Sequence, residues 1–534
     1  MGTKNLNSAT DLITFTRASG GTALRKISYG NELLTNGDFA TNDFTSWSVS
    51  NDPNATASSG AANIGKLSGD AAGIQQTLTV VSGQVYKVEF DITSVTGSSL
   101  VQLRDGLGTI WQETITAPTS VVVYYTETTT QLGLNIRSRT DGVRITIDNV
   151  SVKEVLYDQP DGTLQLFNSP ANVPRIEYDA TGAVKGLLIE EARTNLYPTS
   201  TDTWNAYGNG SHVKTVDSSV VNPTGAYGSD KITQTNNFGY SYVGYHGSYS
   251  TVGTTETYSV YLKSAGHNHV RLRMSNMAGY VNYDFDLSNG NSSLPDIAIN
   301  SGATGHIEDV GNGWWRCSVT YTVTLANPYP SIFLMPSADN FNITQFQGDG
   351  TSGVYMWGHQ IEAGAFPTSL IPTSGSTATR AKDVAQIPTS AFGYNNDKGS
   401  LVIDVLTPVA DQLMALAHFH TNSYLNSRAL WKSSPNLNGV GNQYVNNIYD
   451  SSITLYVVGQ QTQAGYTKLG LSYGDSERAV KDGGTVASGT SRYPNPTRLH
   501  LGGRENGFQS QCWIKSIQYY PRQLTDTQLQ ELTT

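Results

Sequence analysis

Between Tyr86 and Ile92 the chain alternates strictly: Tyr86, Val88, Phe90 and Ile92 are apolar, while Lys87, Glu89 and Asp91 are charged. Successive side chains of an extended chain point to opposite faces, so this pattern predicts a strand with one buried face. The alternation returns as Tyr258, Val260 and Leu262 interleaved with Ser259, Tyr261 and Lys263. After a polar turn, each strand is followed by a near-identical tetrapeptide, Val101-Gln102-Leu103-Arg104 in one case and Val270-Arg271-Leu272-Arg273 in the other. Each stretch then closes on an apolar strand, ITIDNVSV at 145–152 and VYMWGHQI at 354–361, which predicts two copies of one β architecture. Leu401, Ile403 and Val405 resume the pattern near the C-terminus. A single short helix is predicted from Asp526, where Thr525 and Gln528 have capping-box spacing and Leu524 can staple to Leu529.

Turn formers punctuate these runs. Residues 157–195 carry Asp161-Gly162, Pro170, Pro174 and Thr181-Gly182, and residues 366–388 carry Pro367, Pro372, a Ser-Gly-Ser stretch and Pro388. Proline cannot donate to a strand ladder, so these stretches read as borders. The expected fold is all-β: tandem β-sandwich or jelly-roll modules with a short C-terminal helix. The modules are a jelly roll at 31–156, a second jelly roll at 196–372, a linker at 373–388 and a sandwich at 389–534. Segments 1–30 and 157–195, too short for a core of their own, are expected to form one attachment unit into which 31–156 is inserted.

Composition agrees with many short strands and tight turns. The 534 residues exceed what one core can hold. Only 14% are charged, against about 25% in an average protein, while 53 glycines and 30 tyrosines supply turns and neutral polarity. A net charge of −10 with no basic stripe gives phosphate neutralisation no source, which sets nucleic-acid binding aside. No apolar run reaches the roughly 20 residues of a membrane span, and MGTKNLNSAT lacks the apolar core of a signal peptide, so a chain made in the cytoplasm without membrane insertion is expected. Cys317 and Cys512 fall in different modules and are expected to be free thiols.

Several phrases carry resemblances. Asn36-Gly37-Asp38-Phe39, with Phe44, Trp47 and Ile147-Asp148-Asn149-Val150-Ser151-Val152, makes residues 31–156 resemble carbohydrate-binding-module family 4/9 and related galactose-binding-like jelly rolls. That resemblance implies a structural calcium where the first and last strands meet, with Asp38 and Asp148 at the matching positions. The acid usual after the Phe is Ala40 here, and closure of the Asn36-Gly37 turn by Asp38 is the alternative role. Phe15-Thr16-Arg17-Ala18-Ser19, Pro174-Arg175-Ile176-Glu177-Tyr178, the run GLLIEEARTNL at 186–196, Gly311-Asn312-Gly313-Trp314-Trp315-Arg316-Cys317 and the run QIEAGAFPTS at 360–369 look like those of tailed-phage and prophage fibre or head-spike proteins. Arg498-Leu499-His500-Leu501-Gly502-Gly503, Ile514-Lys515-Ser516-Ile517 and Tyr519-Tyr520-Pro521-Arg522 are similar to the closing strands of the concanavalin A-like, laminin G-type sandwich at the tips of such proteins.

Catalytic patterns are sparse. Glycan cleavage requires two carboxyl groups held about 5 to 10 Å apart, and the acidic pairs Glu190-Glu191 and Asp284/Asp286 sit in a linker phrase and on one strand face. No GxSxG, Walker, HExxH or CxxC motif occurs. His418-Phe419-His420 would place two imidazoles on one strand face, with no third ligand near in sequence and a polar surface strand as the alternative. Trp47, Trp314, Trp357 and Trp513 read as core.

A sugar presents an apolar C–H face and a rim of hydroxyls, so its site wants an aromatic plate beside amides, carboxylates or guanidinium groups. Trp111 with Arg104, Tyr242 and Tyr245 beside Asn236 and Asn237, and Tyr424, Arg428 and Trp431 have that composition, core packing being the alternative for each. The resulting expectation is a non-enzymatic virion fibre or spike at the virion surface. It would bind host surface polysaccharide through its C-terminal module, contact other virion proteins and form a homo-oligomer, a trimer being one form. A capsule or lipopolysaccharide depolymerase and a purely structural decoration are the rival readings.

Overall fold

A computed structural model of the chain describes residues 12–67, 69–200, 212–244, 250–277, 279–293, 303–325, 328–336, 345–408, 414–421, 427–432, 443–450, 452–460, 465–490, 495–503 and 511–534. Strands dominate, and among the described residues the one α-helix is Asp526–Thr533. Its start is as predicted: Thr525 Oγ1 accepts the Gln528 N–H and the Gln528 side chain accepts the Thr525 N–H, each at 3.2 Å. Leu524 and Leu529 are buried beneath it with Val480. The fold class is all-β.

The chain divides into two compact units, Lys26–Thr163 and the remainder, Met1–Arg25 with Leu164–Thr534. In Lys26–Thr163, Val85–Val95 lies between Thr119–Thr126 and Arg144–Tyr157, and Ala61–Gly65 pairs with Arg144–Tyr157. A five-stranded sheet runs Ser48–Ser50, Ala72–Thr79, Gln131–Ser138, Ser99–Arg104, Thr109–Ile115. Val88, Phe90 and Ile92 meet Ile74, Val101, Leu103, Leu134 and Ile136 in one core, as the alternation requires. Tyr29 and Val155 are register partners, so the two ends of this module lie side by side. The segment 31–156 read from sequence lies inside this unit.

The other unit holds two sandwiches. In the first, a six-stranded sheet (His212–Val221, Tyr227–Gln234, Gly353–Ala363, Thr255–Ala265, Trp314–Thr322, Thr304–Asp309) faces a five-stranded one (Tyr242–Gly244, Tyr329–Leu334, His269–Met277, Gly279–Asp286, Asn291–Ser293). Tyr258, Val260 and Leu262 enter the core between them. The opposite face of the six-stranded sheet is also covered: Tyr261, Trp314 and Trp357 pack with Leu166 and Leu370 in a second apolar layer. This covering depends on chain far away in sequence, which is why simple alternation predicts an exposed face there. Cys317 in this sandwich and Cys512 in the next are both free and buried.

The last sandwich consists of two seven-stranded sheets, and here the expected boundaries change. Thr14–Thr16 pairs with Val384–Pro388, which pairs with Arg498–Leu501. Ile176–Tyr178 pairs with Val184–Ile189, which pairs with Cys512–Tyr520. Thr14–Thr16, Ile176–Tyr178 and Val184–Ile189, from the segments expected to form a separate attachment unit, and Val384–Pro388 of the expected linker 373–388 are therefore strands of the C-terminal sandwich. Phe15, Ile176, Leu187, Ile189 and Ala385 share its core with Leu401, Ile403 and Val405. Short apolar strands cannot bury themselves, and these do so by completing sheets whose other strands lie hundreds of residues away. Pro388 stands at the last position of its strand, so its ladder still forms.

A buried ionic lattice joins the same segments. Asp383 accepts from Arg17 at 3.1 Å and from Arg175 at 2.5 Å, while Glu190 lies 2.7 Å from Arg175 and 3.1 Å from Arg380. All five side chains are 0–1% exposed. Backbone carbonyls of Ser19, Ser169 and Pro170 accept further hydrogen bonds from Arg17. Such a group stabilises only when every charge is paired and bonded, and here the two carboxylates answer three guanidinium groups with carbonyls helping the third. Arg17, Arg175 and Glu190 come from the phrases FTRAS, PRIEY and GLLIEEARTNL, so those phrases encode the lattice.

Candidate functional site

Several expected glycan contacts are placed elsewhere by the fold. Arg428 is fully buried: its Nε and Nη2 donate to Glu477 at 2.7 and 3.2 Å, and its guanidinium lies 3.9 Å from the centre of the Tyr473 ring. Trp431 packs with Ala415 and Ala429. Every residue of their strand, Ser427–Lys432, is buried, because it lies inside the sheet with both faces covered. Arg428 and Trp431 are thus core residues and not sugar contacts. Tyr424 and Tyr245 lie outside the described residues. Tyr242 stacks on Phe333 with ring centres 4.6 Å apart. Trp111 meets Phe90 edge to face at 5.9 Å and is half-buried at the insert's core.

Arg104 faces the other way, on the outer surface of the insert's five-stranded sheet. There Arg104 stands opposite Asn135, Gln102 opposite Arg137 and Gln75 opposite Asn135. Gln102 donates to Gln112 at 2.8 Å, Asn135 to Gln75 at 2.9 Å and Arg137 to Asn135 at 2.8 Å. Partial burial, then the like charges of Arg104 and Arg139, hold the Arg137 pKa below its ordinary value. This is a flat, amide-rich and cationic surface without an aromatic plate.

Of the expected calcium pair, Asp38 is exposed and its Oδ1 accepts the Ala40 N–H at 3.2 Å; Asp148 Oδ1 accepts the Asn149 N–H at 2.6 Å. The Val150 N–H to Gly37 carbonyl bond, 2.9 Å, ties the two segments together. Among the described residues no three His, Cys, Asp or Glu side chains stand ready to hold a metal ion. The acidic pairs are accounted for structurally. Burial would raise the Glu190 pKa, but Arg380 and Arg175 outweigh it and bring the carboxyl down to about 2, while Asp284 is gripped by Arg271 at 2.6 and 2.8 Å.

A concave site opens in the first sandwich of the larger unit. It is a cleft of about 440 Å³, within the usual range for small-ligand pockets. Its lining combines Trp357 and Tyr227 with Asn168, Asn222, Ser229 and Asp230. The hairpin from His212–Val221 to Tyr227–Gln234 builds one wall, and the turn at its tip is fixed by Asn222, whose Oδ1 accepts from the Thr224 N–H at 2.9 Å and hydroxyl at 2.6 Å. The Leu166 N–H anchors that turn through the Pro223 carbonyl at 2.7 Å. Thr22 donates to the Leu370 carbonyl at 2.8 Å and secures the opposite wall. Lys231 and Tyr355 are register partners, and Ser229 and Trp357, each two residues further along its strand, take the same face.

Two features distinguish this cleft from packing. Tyr227 leaves 60% of its surface exposed at the rim, where its ring face is open to a ligand. The Ser229 hydroxyl, in a residue only 4% exposed, has no hydrogen-bond partner, and such a buried group needs one from a ligand or water. Asp230 is the one carboxylate in the lining, 3.5 Å from Lys214. None of these residues was singled out by the sequence except Trp357, read as core. Val213, Val216 and Val221 on the same hairpin are exposed.

No protein-family model matches the chain, and no curated protein is significantly similar to it in sequence. Among solved structures it is similar to the N-terminal tandem of two family-22 carbohydrate-binding modules of Paenibacillus barcinonensis Xyn10C, at 14% identity and a TM-score of 0.22, over 63% of this chain and 98% of that one. It is also similar to Trypanosoma rangeli sialidase in complex with 2,3-difluoro-KDN, at 11% identity and a TM-score of 0.24, over 88% of this chain and 82% of that one. Superpositions at these scores do not define a shared fold.

Proposed function

We propose that this protein is a glycan-binding component of a phage fibre or spike, holding a saccharide in the Trp357–Tyr227 cleft without turning it over. The observation that carries this reading is the cleft itself, where an exposed ring, two carboxamides and an unpaired buried hydroxyl converge. A sugar's C–H face can lie on Tyr227 while its hydroxyls bond to Asn168, Asn222 and Ser229. A single carboxylate in the lining favours binding over hydrolysis, which takes two carboxyl groups in most glycosidases. The virion setting rests on the fibre-like phrases around Arg17, Arg175, Glu190 and Arg316. Affinity per site is weak in such contacts, and several copies on one particle would supply avidity.

The test is a glycan array probed with the full chain and with Tyr227→Ala, followed by product analysis on every glycan retained. Retention by the wild type, its loss in the variant and unchanged glycan after incubation are expected. New reducing ends or unsaturated products would favour the depolymerase, a blank array the structural decoration. Retention lost in Arg104→Ala but kept in Tyr227→Ala would move the site to the insert.

A further inference from the structure

The outer face of the insert's five-stranded sheet holds an arginine cluster that the fold leaves without an acid. Arg104 stands opposite Asn135, and Arg137 opposite Gln102, on the same two strands. The Arg139 N–H bonds the Leu100 carbonyl at 2.9 Å and continues that ladder. Two residues advance a strand by about 7 Å, so the three arginines mark successive levels along one face. Two buried amides orient them. Arg137 Nε donates to Asn135 Oδ1 at 2.8 Å, and Asn135 in turn donates to Gln75 at 2.9 Å. Arg139 Nη1 donates to Gln102 Oε1 at 3.3 Å, and Gln102 donates to Gln112 at 2.8 Å. Asn135 and Gln102 are only 2% and 5% exposed, so each relay is fixed at its centre. Gly73 makes room for Arg137, since a Cβ there would lie 2.8 Å from Arg137 Cγ.

None of the three guanidinium groups forms an ion pair among the described residues. Arg104 and Arg139 act on Arg137 more strongly than the exposed carboxylate of Asp70 does. Asp105, next to Arg104 in the chain, turns its Oδ1 to the Leu107 and Gly108 N–H groups at 2.8 and 2.7 Å. In the matching tetrapeptide of the other jelly roll, Arg271 is neutralised by Asp284 at 2.6 Å and Arg273 lies 4.6 Å from the centre of the Tyr280 ring. Arg104 holds the position of Arg273 with neither kind of partner. We propose that this face binds an acidic polysaccharide, a saccharide chain carrying repeated carboxylates. A guanidinium fork matches a carboxylate with two parallel N–H donors, and three such forks in a row suit a chain of repeated charges better than a single anion. Gln75 and Gln112 flank the row and offer amide groups to sugar hydroxyls. Three cations in a chain of net charge −10 are too few for nucleic acid. The site lies wholly within the insert and does not rest on the cleft; it would read charge where the cleft reads a sugar's apolar face.

The full chain would be titrated calorimetrically with oligomers of galacturonate, of guluronate, of hyaluronate and of sialic acid, each beside its carboxyl-reduced form. Binding of at least one acidic oligomer, its loss on carboxyl reduction and its weakening as salt rises are the expected results. Arg104→Gln and Arg137→Gln should each lower that affinity at least about tenfold, as losing a charge-assisted contact predicts, with the melting temperature unchanged. Tyr227→Ala should bind the acidic oligomer as the wild type does, so failure of the cleft shows in that variant with neutral glycans and failure of this face shows in the arginine variants. No binding to any of the four, equal binding of the reduced forms, or full affinity in the double variant would overturn the proposal. Dextran sulfate bound as tightly through the same arginines would overturn the choice of carboxylate, and a dimer lost in Arg104→Gln without any saccharide bound would give the face to a second copy. Should Arg137→Gln fail to fold, Arg104→Gln, whose guanidinium bonds no protein group, decides.

Discussion

Arg175 touches both acids of the buried lattice, 2.7 Å from Glu190 and 2.5 Å from Asp383. Replacing it by Met strips both buried carboxylates of a partner. Breaking a buried pair costs about 3–5 kcal/mol, and urea unfolding of Arg175→Met should show a loss of at least that size. His359 gives a signed pH effect. Burial, then Lys214, pushes its pKa down to about 3 from an ordinary 6.5, with Tyr258 bonded to its Nδ1 at 3.0 Å. The unfolded chain therefore binds the extra proton first, so stability is full above about pH 6.5 and falls as pH drops toward 3, by roughly 1.4 kcal/mol per unit. His359→Gln should flatten that part of the urea-unfolding profile by one proton; an unchanged slope would refute the assignment. Glu190 acts lower, its contribution lost between its ordinary 4.5 and about 2. At this scale the sequence displays Arg175 and Glu190 as parts of phrases but hides their shared partner Asp383, which lies 193 residues beyond Glu190. Arg428 is the sharpest case, because alternation reports which face a residue takes and not whether that face is covered.

Strands were legible one by one and their neighbours were not. Val85–Val95, Thr255–Ala265, Gly399–Leu406 and the capped helix all follow from local pattern. Thr14–Thr16 has three residues and no pattern of its own; it exists because Val384–Pro388 offers an edge, and Phe15 can bury its ring behind it. Phe15→Ala should cost about 3 kcal/mol by the usual cost of emptying a buried aromatic site, measurable as a lowered urea midpoint. No change would mean that the N-terminal strand is dispensable to the sandwich. The cleft hairpin follows the same logic. Its valines look like ordinary strand residues in sequence, and only the outermost place of His212–Val221 in its sheet leaves them exposed.

For the molecule as a whole, the central consequence is modular. Tyr29 and Val155 are register partners and the Gly30 N–H bonds the Glu154 carbonyl at 2.9 Å, so the insert leaves and rejoins the chain at one place. Replacing residues 31–153 by a short turn should leave the rest folded, with the same far-ultraviolet β signature and retained glycan binding at the cleft; loss of both would show the insert to be integral. The claim that matters most is the cleft as a saccharide site, and the most direct measurement is calorimetric titration of the full chain and of Tyr227→Ala with one glycan retained on the array. A wild-type affinity that falls at least about tenfold in Tyr227→Ala, with an unchanged melting temperature, is the predicted result. Equal affinity in the two proteins would contradict it.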